Sequence, residues 1–139
     1  MAVSNTTLAI IKPSIAINPQ ILSQIERRIA HADLCITQRK HFKPSYEQLQ
    51  KFYAEHAGKF YYQRLLLSMS SDYVHCYVLS GQDAVQKWRN LIGPNKVYLS
   101  KYTQPDTLRS LYGITDTRNT FHGSSNQQEA MNEIDIIFN

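Results

Sequence analysis

A short apolar run near the start of the chain, Thr7-Leu8-Ala9-Ile10-Ile11, stops at Lys12-Pro13. A continuous apolar run closed by proline reads as a buried strand. The period then changes. Pro19 opens a stretch with Ile21, Leu22, Ile25 and Ile29 on one face and Glu26, Arg27 and Arg28 largely on the other. That is an amphipathic helix begun by proline at its first position, with the two arginines on a solvated face. Leu34-Cys35-Ile36-Thr37 leads into a second strand that runs to Phe42. Pro44-Ser45 starts another helix with Ser45 as N-cap, carrying Leu49, Phe52 and Tyr53 and ending near Gly58. A further helix spans Phe60 to Met69, and Tyr73 to Leu79 forms a third strand. Gly81 to Ile92 reads as a helix closed by Gly93-Pro94. A loop from Asn95 to Asp106 follows, then a short helix from Thr107 to Tyr112, a β-type run from Arg118 to Phe121, and a last helix from Asn126 to Phe138.

Stripped of inserts, the order is βαββαβ, the split arrangement of a ferredoxin-like sandwich. It predicts an α+β fold with a four-stranded antiparallel sheet, helices packed on one face, and an extra C-terminal helix. The length of 139 residues suits one domain, 1–139. No apolar run approaches the length of a membrane span. Cys35 and Cys76 stand alone in separate apolar stretches. Their spacing argues against a zinc site and a disulfide scaffold, and both are expected to be buried thiols. Met1 to Asn5 shows neither a secretory pattern nor an arginine, so a cytoplasmic location is expected, with a mitochondrial one as the alternative. The net charge of +4 suits a nucleotide or a nucleic acid equally.

The window with the most chemistry is Thr115 to Ser125. His122 follows a short strand and precedes Gly123 and Ser124, then a helix. Gly123 permits close approach of the backbone, and Ser124 reads as the helix N-cap. Such a histidine sits at a sheet edge with one ring nitrogen facing a cleft. Imidazole is a good nucleophile near neutral pH once its other nitrogen is held by a hydrogen bond. Glu133, in the following helix, is the candidate acceptor. Phosphoryl transfer demands positioned positive charge, and Lys12, Arg89, Arg109 and Arg118 would gather at one sheet edge in this fold. Asn119 adds an amide for a sugar hydroxyl or a phosphate. No GxxxxGK[ST] loop is present, so this is no Walker-type nucleotide site. His31, His41, His56 and His75 lack such flanks and read as surface or strand histidines. Lys96 and Lys101 interleave with Tyr98 and Tyr102, but one basic loop is thin support and nucleic acid is not an expected partner.

The window Asn119-Thr120-Phe121-His122-Gly123-Ser124 resembles the signature of nucleoside diphosphate kinases. Thr7 to Pro13 resembles that family's first strand with its lysine. Phe52 to Lys59, Ala84 to Pro94, Thr107-Leu108-Arg109 and Glu133-Ile134 are similar to further family segments. The stretch Lys59 to Leu65 looks closest to a divergent branch associated with mitochondria. The resemblance implies that His122 is the phosphorylated residue, Glu133 its orienting carboxylate and Ser124 its support, with Tyr53 nearby. It implies Lys12, Arg89 and Arg109 as phosphate ligands, Asn119 as the sugar ligand, and Tyr61 as the aromatic that stacks on the base. Asn95 stands where the family usually has a threonine that contacts phosphate. Asp72, Ser125 and Ser14 are further departures. The implied activity passes a γ-phosphoryl group from a nucleoside triphosphate to a diphosphate by a ping-pong route. Mg²⁺ would ride on the nucleotide phosphates. The alternative is a nucleotide-binding or partner protein that keeps the fold but turns over little. The implied assembly is a homo-oligomer, at least a dimer through the second strand. A hexamer is less favoured, because the loop from Asn95 to Asp106 is long and the chain stops just past Phe138.

Overall fold

The computed structural model describes residues 5–12, 19–71, 73–93, 104, 106–108, 111 and 121–138. Four strands form one sheet: β1 (Thr6–Ile11), β2 (Cys35–Phe42), β3 (Val74–Ser80) and β4 (Phe121–Gly123). Their order is β2-β3-β1-β4 and every neighbouring pair is antiparallel. Five α-helices are described: α1 (Pro19–His31), α2 (Tyr46–Phe52), α3 (Tyr62–Ser70), α4 (Ala84–Ile92) and α5 (Gln127–Phe138). A 3₁₀ turn, Ala54–His56, lies between α2 and α3. This is the expected ferredoxin-like α+β fold.

The helices do not share one face. Residues alternate along a strand, so Leu8 and Ile10 point one way and Ala9 and Ile11 the other. All four are at most 1% exposed. Ala9, Ile11, Tyr77 and Leu79 pack with Ile25 and Ile29 of α1 and with Ala84, Trp88 and Ile92 of α4. Leu8, Ile10 and Cys76 pack instead with Leu49 of α2, Leu66 and Met69 of α3, and Ile137 of α5. One-faced packing therefore holds for α1 and α4 alone. A strand covered on both faces carries an unbroken apolar run, which is the pattern at Thr7 to Ile11.

Several boundaries follow from local chemistry. Ser45 caps α2 through a capping box: Ser45 Oγ accepts from Gln48 N, and Gln48 Oε1 accepts from Ser45 N, both at 3.1 Å. α2 ends at Phe52, short of the expected Gly58. The chain then turns through bonds from Ala57 N to Ala54 O, from Lys59 N to His56 O and from Tyr62 N to Lys59 O. Gly58, at φ +87°, serves that turn rather than the helix end. Of the expected helix from Thr107 to Tyr112, the described part shows Leu111 N donating to Thr107 O at 3.1 Å. Arg28, expected to be solvated, donates to Asp106 O at 2.7 Å. Cys76 is buried as expected, and burial pushes its thiol up to about 12, against the opposing charge of Lys40. Cys35 is exposed, contrary to expectation, because it opens β2 at the edge of the sheet.

The C-terminus of α1 closes in a Schellman motif. Leu34 N donates to Ile29 O and Asp33 N to Ala30 O. Asp33 occupies the left-handed position at φ +61°, where a side chain is disfavoured and a carboxylate also faces the negative end of the helix dipole. Asp33→Gly is therefore expected to raise stability by roughly 0.5–1 kcal/mol, part of the relief being offset by unfolded-state entropy. The urea midpoint reads this directly, and a lowered midpoint would contradict it.

Candidate active site

β4 is a three-residue edge strand that pairs with β1, setting His122 opposite Ile10 and Gly123 opposite Ala9. His122 thus lies inside the strand rather than after it. The chain then turns into α5, whose cap is Asn126: its Oδ1 accepts from Glu129 N at 2.9 Å. Ser124, read from the sequence as that cap, has a different place. It is 0% exposed, and its Oγ donates to Glu133 Oε1 at 2.6 Å. The same carboxylate oxygen accepts from His122 Nε2 at 2.9 Å. The His122 and Glu133 side chains are 19% and 12% exposed, so this bond is largely shielded from water. A carboxylate partner puts the ring proton on Nε2 and leaves the Nδ1 lone pair free. Phe52 packs edge-on against the ring, with centroids 4.9 Å apart and planes at 64°, and fixes its plane.

These groups face a cleft of about 1100 Å³, lined among others by Lys12, Tyr53, Tyr61, Arg64, Arg89 and His122. Lys12 follows β1 directly and is 9% exposed, so its ammonium is held at the end of the most buried strand. Tyr53 is buried, and its hydroxyl has no hydrogen-bond partner among the described residues. Burial pushes that phenol far above its usual range, with the Glu133 carboxylate and Cys76 adding to the effect. Tyr53 therefore stays a neutral O–H near neutral pH. Arg89 Nη1 makes a long contact of 3.5 Å with Ser124 O.

The structure thus brings His122, Glu133, Tyr53, Tyr61, Lys12 and Arg89 to one cleft, with Ser124 buried behind it on Glu133. Asn95, Arg109, Arg118 and Asn119, together with Asp72 and Ser14, lie outside the described residues. Two groups escaped the sequence reading. Arg64 lines the cleft from the first turn of α3, three residues after Tyr61, the N-cap of that helix. His56, expected to be a surface histidine, is half-buried with Nδ1 2.6 Å from the Tyr61 hydroxyl. That bond spans the turn at Gly58 and fixes the tilt of the Tyr61 ring. His41 and His75 stack at 4.1 Å, in register on β2 and β3.

α4 supports the strand from the opposite side. The Trp88 indole Nε1 donates to His122 O at 2.8 Å, and its ring meets Phe121 edge-on at 6.3 Å. The close approach that Gly123 permits is to this indole: a Cβ there would lie 2.8 Å from Trp88 Cδ1.

With this geometry in place, comparison with known proteins gives one answer. The family model for nucleoside diphosphate kinase matches residues 5–139. Nucleoside diphosphate kinase 6 of Xenopus tropicalis is 43% identical over 132 residues, spanning 95% of this chain and 74% of that protein. The Homo sapiens protein of the same name is 40% identical over 132 residues, spanning 95% and 71%. The crystal structure of the Aquifex aeolicus nucleoside diphosphate kinase superposes with a TM-score of 0.91 at 31% identity, covering 97% of this chain and 95% of that one. Sequence, family model and backbone agree across nearly the whole length, and the chain belongs to the nucleoside diphosphate kinase family.

Proposed function

We propose that the protein transfers the γ-phosphoryl group of a nucleoside triphosphate to a nucleoside diphosphate through phosphorylated His122. The observation that carries this reading is the carboxylate-held imidazole, with Nε2 tied to Glu133 and the ring lining a cleft that also holds Lys12 and Arg89. The Nδ1 lone pair attacks the γ-phosphorus in line. The bond from that phosphorus to the β–γ bridging oxygen breaks, and the diphosphate leaves with the electron pair. Positive charge builds on the ring, and the Glu133 carboxylate stabilises it across 2.9 Å. In the second half, a terminal oxygen of the acceptor diphosphate attacks the same phosphorus and the N–P bond breaks. Lys12 and Arg89 balance charge on the phosphate oxygens, and Arg64 adds a cation at the cleft wall. Tyr53 offers a neutral hydroxyl donor. Arg109, Asn95 and Asn119 are proposed as further phosphate and sugar ligands by family likeness.

Glu133 is already engaged by His122 and Ser124, so Mg²⁺ would be carried by the nucleotide phosphates and would supply neutralisation of their charge. Tyr61 is the proposed platform for the base. Stacking tolerates any base, so kcat/KM for purine and pyrimidine diphosphates should agree within about a hundredfold, the scale of a lost directional contact or two. A larger spread would remove Tyr61 from this role.

Incubation with γ-labelled ATP and Mg²⁺ tests the reading as a whole. The expected product is a phosphoprotein that is acid-labile, alkali-stable and discharged by added diphosphate. Nucleotide binding with no phosphoprotein would sink the mechanism and favour a binding or partner protein.

A further inference from the structure

The geometry points to Trp88 as a positioning residue that sets His122 for attack; this rests on the function proposed above. β4 has three residues and pairs with β1 in the described sheet. A strand that short gains little rigidity from its own ladder. α4 supplies what the ladder does not. Trp88 is 0% exposed and touches three consecutive residues of the strand. Its ring meets Phe121, its Nε1–H donates to His122 O at 2.8 Å, and its Cδ1 fills the space where a Cβ on Gly123 would come within 2.8 Å. Arg89, the next residue, reaches Ser124 O at 3.5 Å. The carbonyl that Trp88 fixes belongs to the residue whose ring does the chemistry. A shift of that peptide moves Nδ1 off the line of attack even while Nε2 stays near Glu133. Near-attack geometry is sensitive to displacements of about 1 Å.

The substitution Trp88→Phe keeps a buried aromatic ring and deletes the donor. It is expected to slow single-turnover phosphorylation of His122 about tenfold, the scale of one hydrogen bond to a buried carbonyl. The dissociation constant for a nucleoside diphosphate should stay within about twofold, because no nucleotide atom is touched. A purely structural role would instead lower the unfolding midpoint and leave the rate of the folded fraction unchanged. The chain has a single tryptophan, so its one indole N–H resonance offers a second readout that needs no variant. That resonance should be protected from solvent exchange and should move when His122 is phosphorylated.

Equal phosphorylation rates in the two proteins, per folded molecule, would overturn the inference while leaving the proposed function standing. So would an indole resonance that stays fixed as the phosphoenzyme forms, a result that decides the matter if the variant fails to fold. Failure of the unsubstituted protein to form any phosphoenzyme would overturn both.

Discussion

His122→Ala is expected to leave a folded protein with no detectable phosphoenzyme and with phosphotransfer reduced by about ten-thousandfold or more, since it removes the proposed nucleophile. Little of the fold depends on this ring. It is partly exposed, and among the described residues the aromatic ring it meets is Phe52, a contact of about 1 kcal/mol, while Glu133 keeps its bond from Ser124 when the imidazole is gone. The backbone of β4 keeps its bonds to β1 and the bond from Trp88, because neither involves the imidazole. Labelling, steady-state transfer and far-UV circular dichroism on one sample separate the outcomes. A native spectrum with lost labelling is the expected result. Normal labelling would mean that another residue carries the phosphoryl group.

Glu133→Gln should be nearly as severe for the chemistry and mild for the fold. The amide is isosteric, and its oxygen still has two lone pairs with which to accept. Glu133 Oε1 now accepts two, from His122 Nε2 at 2.9 Å and Ser124 Oγ at 2.6 Å. A neutral amide loses the charge that offsets the imidazolium forming during attack. If its NH₂ faces the ring, it also favours the tautomer with the proton on Nδ1, which takes away the lone pair that attacks. The phosphorylation rate should fall by about a hundredfold to a thousandfold, with nucleotide affinity little changed. A drop confined to KM would show that Glu133 serves binding instead of orientation.

The parts of this site that the sequence displays are those whose partners lie close along the chain. His122, Gly123 and Ser124 are adjacent, and Glu133 follows within the next helix. The N-cap reading of Ser124 fails for a local reason, while its place beside Glu133 agrees with the support that the family resemblance implies. A serine after glycine before a helix fits an N-cap, but Asn126 fits better and leaves Ser124 to the carboxylate. Trp88 shows the opposite limit. In the sequence it is one more apolar residue on an amphipathic helix. Its bond to His122 spans 34 residues, and no local pattern encodes that. The second helical layer is an intermediate case. Thr7 to Ile11 displays burial, yet a run with no polar alternate cannot say which helices cover which face. His56 and Tyr61 lie only five residues apart, but their bond depends on the fold of the turn at Gly58.

The sheet gives the two halves of the site unequal lifetimes. β1 is hydrogen-bonded along both edges and covered on both faces. Its amides bonded to β3, and the placement of Lys12 with them, should exchange in the largest openings of the molecule. The ladder of β4 is three residues long, at the margin of the sheet. Its amides can open in a smaller, local excursion that leaves the core intact. Lys12 and His122 therefore stand on strands of unequal local stability, and the proposed phosphoryl carrier is on the strand that opens more readily.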